Sequence, residues 1–274
     1  MVNKLQTKKI RISLSTPVLI LLSLAIPFYT QDISFGAKLS VEYANYIQGA
    51  GFTRGSIISP VLGLDIGNLS SVLKNICFFS ARTQGEFLVA GSKNKGFQEM
   101  DISLSYNTFL WKFSLTPSVN LNIFPARTNY SDEALPITAD FGFSVGFNIL
   151  DYNMYSIGNF GIYTDHKLDF LTTPGGYIGE IGLYHNHWFA NSYARLSSEL
   201  ILDWANRRYN QHYFNLDKTT ISNLRAKVSL SYDLCTSCFI EPSLQFNYML
   251  DKALHNQISD LSLFNAGLSF GLIY

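Results

Sequence analysis

Phe264, Ala266, Leu268, Phe270, Leu272 and Tyr274 fall on every second position of the last eleven residues. Between them stand Asn265, Gly267, Ser269 and Gly271, with Ile273 as the one apolar exception. A period of two sends alternate side chains to opposite faces of a strand. This segment is therefore a strand with one greasy face and one small or polar face. A soluble sandwich strand shares that pattern, so the rest of the chain has to decide what the greasy face meets.

The alternation recurs along the whole chain. Phe35, Ala37, Leu39, Val41 and Tyr43 oppose Ser34, Gly36, Lys38, Ser40 and Glu42. Phe113, Leu115, Val119 and Leu121 oppose Lys112, Ser114, Thr116, Ser118 and Asn120. Phe141, Phe143, Val145 and Phe147 oppose Asp140, Gly142, Ser144, Gly146 and Asn148. Leu224, Ala226, Val228 and Leu230 oppose Arg225, Lys227, Ser229 and Ser231. Residues 155–165 form a weaker strand whose faces the pattern does not assign. Counted this way the chain holds about twelve strands, within a range of about ten to fourteen even-numbered solutions. Pro60, Pro117 and Pro242 are placed towards strand ends, where a missing donor costs least.

The connections sort by parity. Those near 47–56, 91–98, 125–135, 166–175, 205–219 and 251–260 are mostly longer and polar; the alternate ones are mostly shorter. Only 15% of residues are charged, against about 25% in soluble domains. The 20 basic and 20 acidic side chains balance, which gives no footprint for nucleic acid. Aromatic residues are abundant, with 21 Phe and 16 Tyr, and Trp111, Trp188 and Trp204 all fall at strand ends. Amphipathic rings prefer the headgroup level of a bilayer.

Lys4, Lys8, Lys9 and Arg11 precede an apolar run from Val18 to Phe28, interrupted by Ser23. Basic front and short apolar run match a cleavable signal peptide, too short for a comfortable membrane span. Residues 1–31 are read as that peptide and 32–274 as the mature domain. The terminal strand resembles the closing strand of bacterial outer-membrane β-barrels. That resemblance implies that Phe264, Leu268, Phe270, Leu272 and Tyr274 serve as the recognition signal for the barrel-insertion machinery. The fold class that follows is all-β, a transmembrane antiparallel up-and-down β-barrel in the bacterial outer membrane, contacting lipid and lipopolysaccharide. Lipid demands the uniform, charge-free outer band these faces supply, because Arg or Lys at mid-membrane costs about 2–4 kcal/mol. It also demands closure, since it cannot satisfy an open sheet edge.

The opposite faces then line a lumen. The candidate pore residues are Lys38, Glu42, Arg82, Glu86, Asp101, Asp140, Glu180, Arg195, Glu199, Arg225, Lys227 and Glu241. Both signs of charge are present, so they either give a water-filled pore weak selectivity or close it as a salt-bridge network. Tyr43–Tyr46, Gly51-Phe52-Thr53-Arg54-Gly55, Pro60-Val61-Leu62 and Gly96-Phe97-Gln98-Glu99-Met100-Asp101-Ile102-Ser103-Leu104-Ser105-Tyr106 resemble a family of small outer-membrane porins. The resemblance implies passive diffusion of small hydrophilic solutes. The competing expectation is a non-conducting barrel that binds a partner or scaffolds an assembly through its loops. Arg207, Arg208, Tyr209, His212, Tyr213 and Phe214 of loop 205–219 are the best surface for that.

Catalysis is not expected, and neither is a cofactor or a metal. The histidines are His166, His185, His187, His212 and His255, and none forms the His-x-Ser pair of rim phospholipases. His185 and His187 could together hold a metal, but no third ligand stands near them in sequence. Cys235 and Cys238 lie in the turn before the penultimate strand; in an exported protein they are either a disulfide or free thiols.

Overall fold

In the computed structural model the described residues are 31–48, 51–70, 75–91, 96–124, 137–152, 157–189, 193–257 and 262–273. Of the proposed leader, residues 1–31, all but Gln31, which begins the first strand, lies outside them, as do Tyr274 and several loops. Twelve antiparallel strands run in chain order: β1 Gln31–Gln48, β2 Gly51–Ser70, β3 Asn75–Gly91, β4 Gly96–Leu110, β5 Phe113–Ile123, β6 Ile137–Tyr152, β7 Ile157–Asp169, β8 Gly176–Trp188, β9 Ala194–Ala205, β10 Thr220–Cys235, β11 Cys238–Met249 and β12 Ser262–Ile273. Each pairs with its sequence neighbour. β12 then returns to β1, with Leu39 opposite Phe270 and Ser40 opposite Ser269, so the sheet closes on itself. Closure removes every edge, which an open sheet in hydrocarbon could not survive.

The register shows which face points where. Leu39 is 47% exposed beside Ser40 at 5%; Leu268 and Phe270 are about half exposed on either side of Ser269 at 3%. Phe141, Phe143, Leu200, Val228, Leu244 and Phe246 continue the same exposed belt around the barrel. A water-soluble barrel would show the reverse, with the apolar set inside. This barrel is greasy outside and polar inside. Of the segment 155–165, ambiguous in sequence, residues 157–165 belong to β7, which pairs with β8 without interruption and with β6 through one irregularity between Asn148 and Leu150.

The prolines lie inside strands rather than near their ends, and the ladder accommodates each. Pro60 pairs with Leu39, but the β2–β3 ladder passes from Ile58–Phe87 to Val61–Gln84 without a pair at Pro60. Pro117 pairs with Phe143, while the β4–β5 ladder skips from Ser105–Ser118 to Thr108–Leu115. Pro242 pairs with Leu268, and the β10–β11 ladder skips from Ser229–Ser243 to Tyr232–Ile240. The ladder is interrupted on the side of each ring where the donor is missing.

Aromatic rings cover glycines directly across the ladder. Tyr184 lies over Gly161 and Tyr163 over Gly182, an interlocked pair on the inner face, while Phe239 covers Gly271. On the outer face Trp204 covers Gly179. The short-turn end of the barrel carries the tight connections. Trp111 opens the β4–β5 turn with φ 56° and is 80% exposed, its indole approached by the Lys112 ammonium at 5.8 Å. That end also holds Cys235 and Cys238, joined by a disulfide across a Cα–Cα distance of 5.0 Å. At the opposite end two loops carry helices, α1 Arg207–Phe214 and α2 Lys252–Gln257.

Candidate functional site: the lumen and its roof

The polar inner face encloses a cavity of about 600 Å³ bounded by strands and, at one end, by the loop helices. The register directs Lys38, Arg82, Glu86, Asp101, Asp140, Glu180, Arg195, Glu199, Arg225, Lys227 and Glu241 to the inner face. The Glu42 side chain lies outside the described residues. Of these, Lys38, Glu180, Arg225, Lys227 and Glu241 line the cavity together. Asp165 and Lys167 also line it and were missed by sequence reading; Asp203, placed on a polar strand face but not named as a pore residue, and Tyr209, assigned to the partner-binding loop, line it too. Asp65, Glu99 and Asp169 also point inward and were missed.

Arg225 is the centre of the strongest cluster. Its Nε donates to Asp203 Oδ2 at 2.8 Å and its Nη2 to Asp203 Oδ1 at 2.7 Å, a two-pronged grip on one carboxylate. The same Nη2 donates to Glu180 one strand further. Three strands are thereby tied together from within. A planar guanidinium can hold two carboxylates this way and an ammonium cannot. Lys38 pairs with Glu241 at 2.8 Å across the closing strands, and Lys227 stands directly opposite Glu199.

The wall formed by β4, β5 and β6 is different. There an amide and hydroxyl ladder runs across the three strands. Thr116 Oγ1 donates to Asn107 at 3.0 Å, Asn120 Nδ2 to Asp140 at 2.6 Å and Asn122 Nδ2 to Thr138 at 3.1 Å. One side of the lumen thus carries the Arg225 cluster, the other an amide and hydroxyl ladder around Asp140, with Glu99 and Asp101 also directed inward.

The roof is built from the two loop helices. Asn206 caps α1, its side chain accepting from Tyr209 N at 2.9 Å. The same amide also accepts from Tyr177 N at 3.1 Å and donates to the Gly175 carbonyl at 2.9 Å. Asn210, fully buried, donates to the carbonyls of Ala205 and Lys218. Tyr213 OH reaches Asp169, whose carboxylate already gathers the backbone N–H groups of Leu171, Thr172 and Thr173. Burial pushes the Tyr213 hydroxyl pKa above its ordinary value. Tyr209, Asn210 and Phe214 of α1 and Leu254 of α2 all face the cavity. Asn206 followed by Tyr209 and Tyr213 at helical spacing was the signal for α1.

Other candidates sit elsewhere. His166 is on the outer face of β7, opposite Gly179, with Nδ1 2.5 Å from Tyr177 OH and Nε2 2.9 Å from Thr164 Oγ1. His185 and His187 are on the outer face of β8 near the short-turn end, their ring centroids 6.2 Å apart. Among the described residues no group of three or more His, Cys, Asp or Glu side chains could hold a metal ion. Phe264, Leu268 and Phe270 are exposed on the outer face, which by parity is also that of Leu272.

No protein-family model matches the chain, and no curated protein matches it. Solved structures do. An outer-membrane channel from Pseudomonas putida F1 superposes with a TM-score of 0.51 at 10% identity, over 91% of this chain and 97% of that one. The KdgM porin gives 0.47 at 11% identity, and the NanC porin 0.47 at 13%, each over 86% of this chain and 98% of the other. This chain has the closed-barrel fold of an outer-membrane channel.

Proposed function

We propose that this protein is a porin-like channel of the bacterial outer membrane, passing small hydrophilic solutes by diffusion. The observation that carries the reading is the polar cavity of about 600 Å³ inside a closed barrel whose exterior is an apolar belt. A barrel of this size lies between side-chain-filled eight-stranded barrels and open 16-stranded porins. The short-turn end faces the periplasm and the helix end faces outward, following the usual asymmetry of turns and loops. Residues 1–31 direct export, and the terminal strand presents Phe264, Leu268, Phe270, Leu272 and Tyr274 to the insertion machinery. Outer-membrane lipid and lipopolysaccharide surround the belt. The inward charges set the solute preference, and Arg225, with its two carboxylates, dominates it.

The test is single-channel recording of the purified, folded chain in a planar bilayer. Discrete current steps whose ion selectivity changes in Arg225→Glu are the expected result. A folded and inserted barrel that never conducts, even when the roof is loosened by Asp251→Asn, sinks the pore reading. It would favour the binding or scaffold role, for which α1 offers a firmly anchored platform with exposed Arg207 and Arg208.

A further inference from the structure

The two roof helices are fastened very differently. α1 is tied to the β7–β8 turn and the start of β8 by Asn206, by Arg208 Nη1 on the Pro174 carbonyl at 3.0 Å, and by Tyr213 on Asp169. Among the described side chains, α2 is tied mainly through one carboxylate. Asp251 Oδ1 accepts the N–H groups of Ala253 at 2.8 Å and Leu254 at 3.2 Å, which starts the helix. Its Oδ2 accepts from Lys218 Nζ at 2.7 Å and Thr220 Oγ1 at 2.6 Å, which binds the helix to the segment after α1. Among the described side chains the other attachment is apolar: Leu254 and Met249, with Phe214 and Leu216 packed against them.

We infer that α2 is a movable flap over the outer mouth of the lumen and that Asp251 is its latch. This rests on the pore reading and adds its regulation. Leu254 is part of the cavity wall, so lifting α2 removes a piece of that wall and opens the cavity on its outer side. The latch is breakable because half of the Lys218 side chain is exposed, and water and salt compete for it. Losing Asp251 removes the helix start and the tie in one step, whereas α1 keeps several independent fastenings. Local opening of this kind draws on the least stable part of a structure.

Thr220→Cys with Asp251→Cys tests this in one protein, because both side chains are short and in contact. Oxidised, the pair locks α2 down; reduced, it leaves α2 without its latch. Channel recordings should show a steady low-conductance state when oxidised. On reduction the open fraction should rise to about tenfold that of the unmutated protein, the factor expected for losing one helix cap and one part-exposed ion pair. Asp251→Ala, which removes both the cap and the tie, should resemble the reduced form, and reductant on the unmutated protein controls for the Cys235–Cys238 bond. A wild type that is silent while the reduced variant conducts also supports the flap. Failure of the cysteines to cross-link, or a conducting variant indifferent to reductant, overturns the flap alone. Silence in every form removes the pore and the flap together.

Discussion

Arg225→Met removes the guanidinium and keeps a side chain of similar reach, so its effect reports the interior clamp. Three N–H donations are lost, two to Asp203 and one to Glu180. Hydrogen bonds to charged groups contribute about 1.5–3 kcal/mol each, so a dry site would lose about 6 kcal/mol. The lumen is wet: Arg225 keeps 28% of its side chain exposed, Glu180 25% and Asp203 17%. Water then solvates the orphaned carboxylates, and the desolvation that the intact cluster suffers is recovered. The net loss should be about 2 kcal/mol. Equilibrium unfolding of the folded barrel in lipid vesicles by denaturant measures it as a shifted midpoint with an unchanged slope. The triple variant Arg225→Met, Glu180→Gln, Asp203→Asn no longer confines like charges and should recover all but about 0.5 kcal/mol. Arg225→Lys should fall in between, since an ammonium cannot make the two-pronged grip. A single variant within about 0.5 kcal/mol of wild type, or a triple variant no better than the single, would refute the clamp.

Three further outcomes follow from other parts of the barrel. The Asp251 carboxylate feels burial, which raises its pKa, but the Lys218 and Thr220 bonds and the two backbone N–H groups outweigh it and hold it at about 2. A pKa depressed below the unfolded value of about 3.9 means that the latch is at full strength above pH about 4 and weakens as pH falls through about 2. Protection of α2 against hydrogen exchange should therefore fall only there, and constant protection down to pH 2 would contradict the latch. Gly161→Ala should destabilise more than Gly182→Ala, by about 1 kcal/mol, in the same denaturant assay. An added Cβ at 161 meets the fixed carbonyl of Phe147 at 2.6 Å, while at 182 the three nearest atoms all belong to the movable Tyr163 ring. Trp111→Gly relieves a left-handed φ of 56° worth about 1 kcal/mol but removes an interface ring, so its unfolding midpoint should stay near wild type while Trp111→Ala falls below it.

The outer face of this barrel was legible in sequence because lipid imposes one rule on every strand: apolar at each second position, without charge. Leu39, Phe141, Val228 and Phe270 could be assigned before any contact was known. β7 was opaque because that rule is relaxed there. Thr164 and His166 sit on the outer face and Asp165 and Lys167 on the inner, so polarity does not alternate, and Asp165 and Lys167 were missed. The prolines misled for a similar reason. A missing donor is a property of one ladder, and the alternation of side chains does not tell towards which neighbour a given N–H points. Only the register reveals that Pro60, Pro117 and Pro242 each face a gap.

The inner face obeys no comparable rule, and function has room there. Water tolerates either charge and any size, so identity inside the barrel is set by partners several strands away in sequence. Arg225 and Glu180 are 45 positions apart, Lys38 and Glu241 203 apart, and neither pairing follows from local pattern. The same freedom shapes the roof. Asn206 and Asp251 are each ordinary helix-capping residues by sequence, yet one is built into the β7–β8 turn and the other rests on a lysine half in solvent. Two equivalent sequence signals therefore give one fixed helix and one releasable helix, and the difference lies in what each cap touches beyond its own helix.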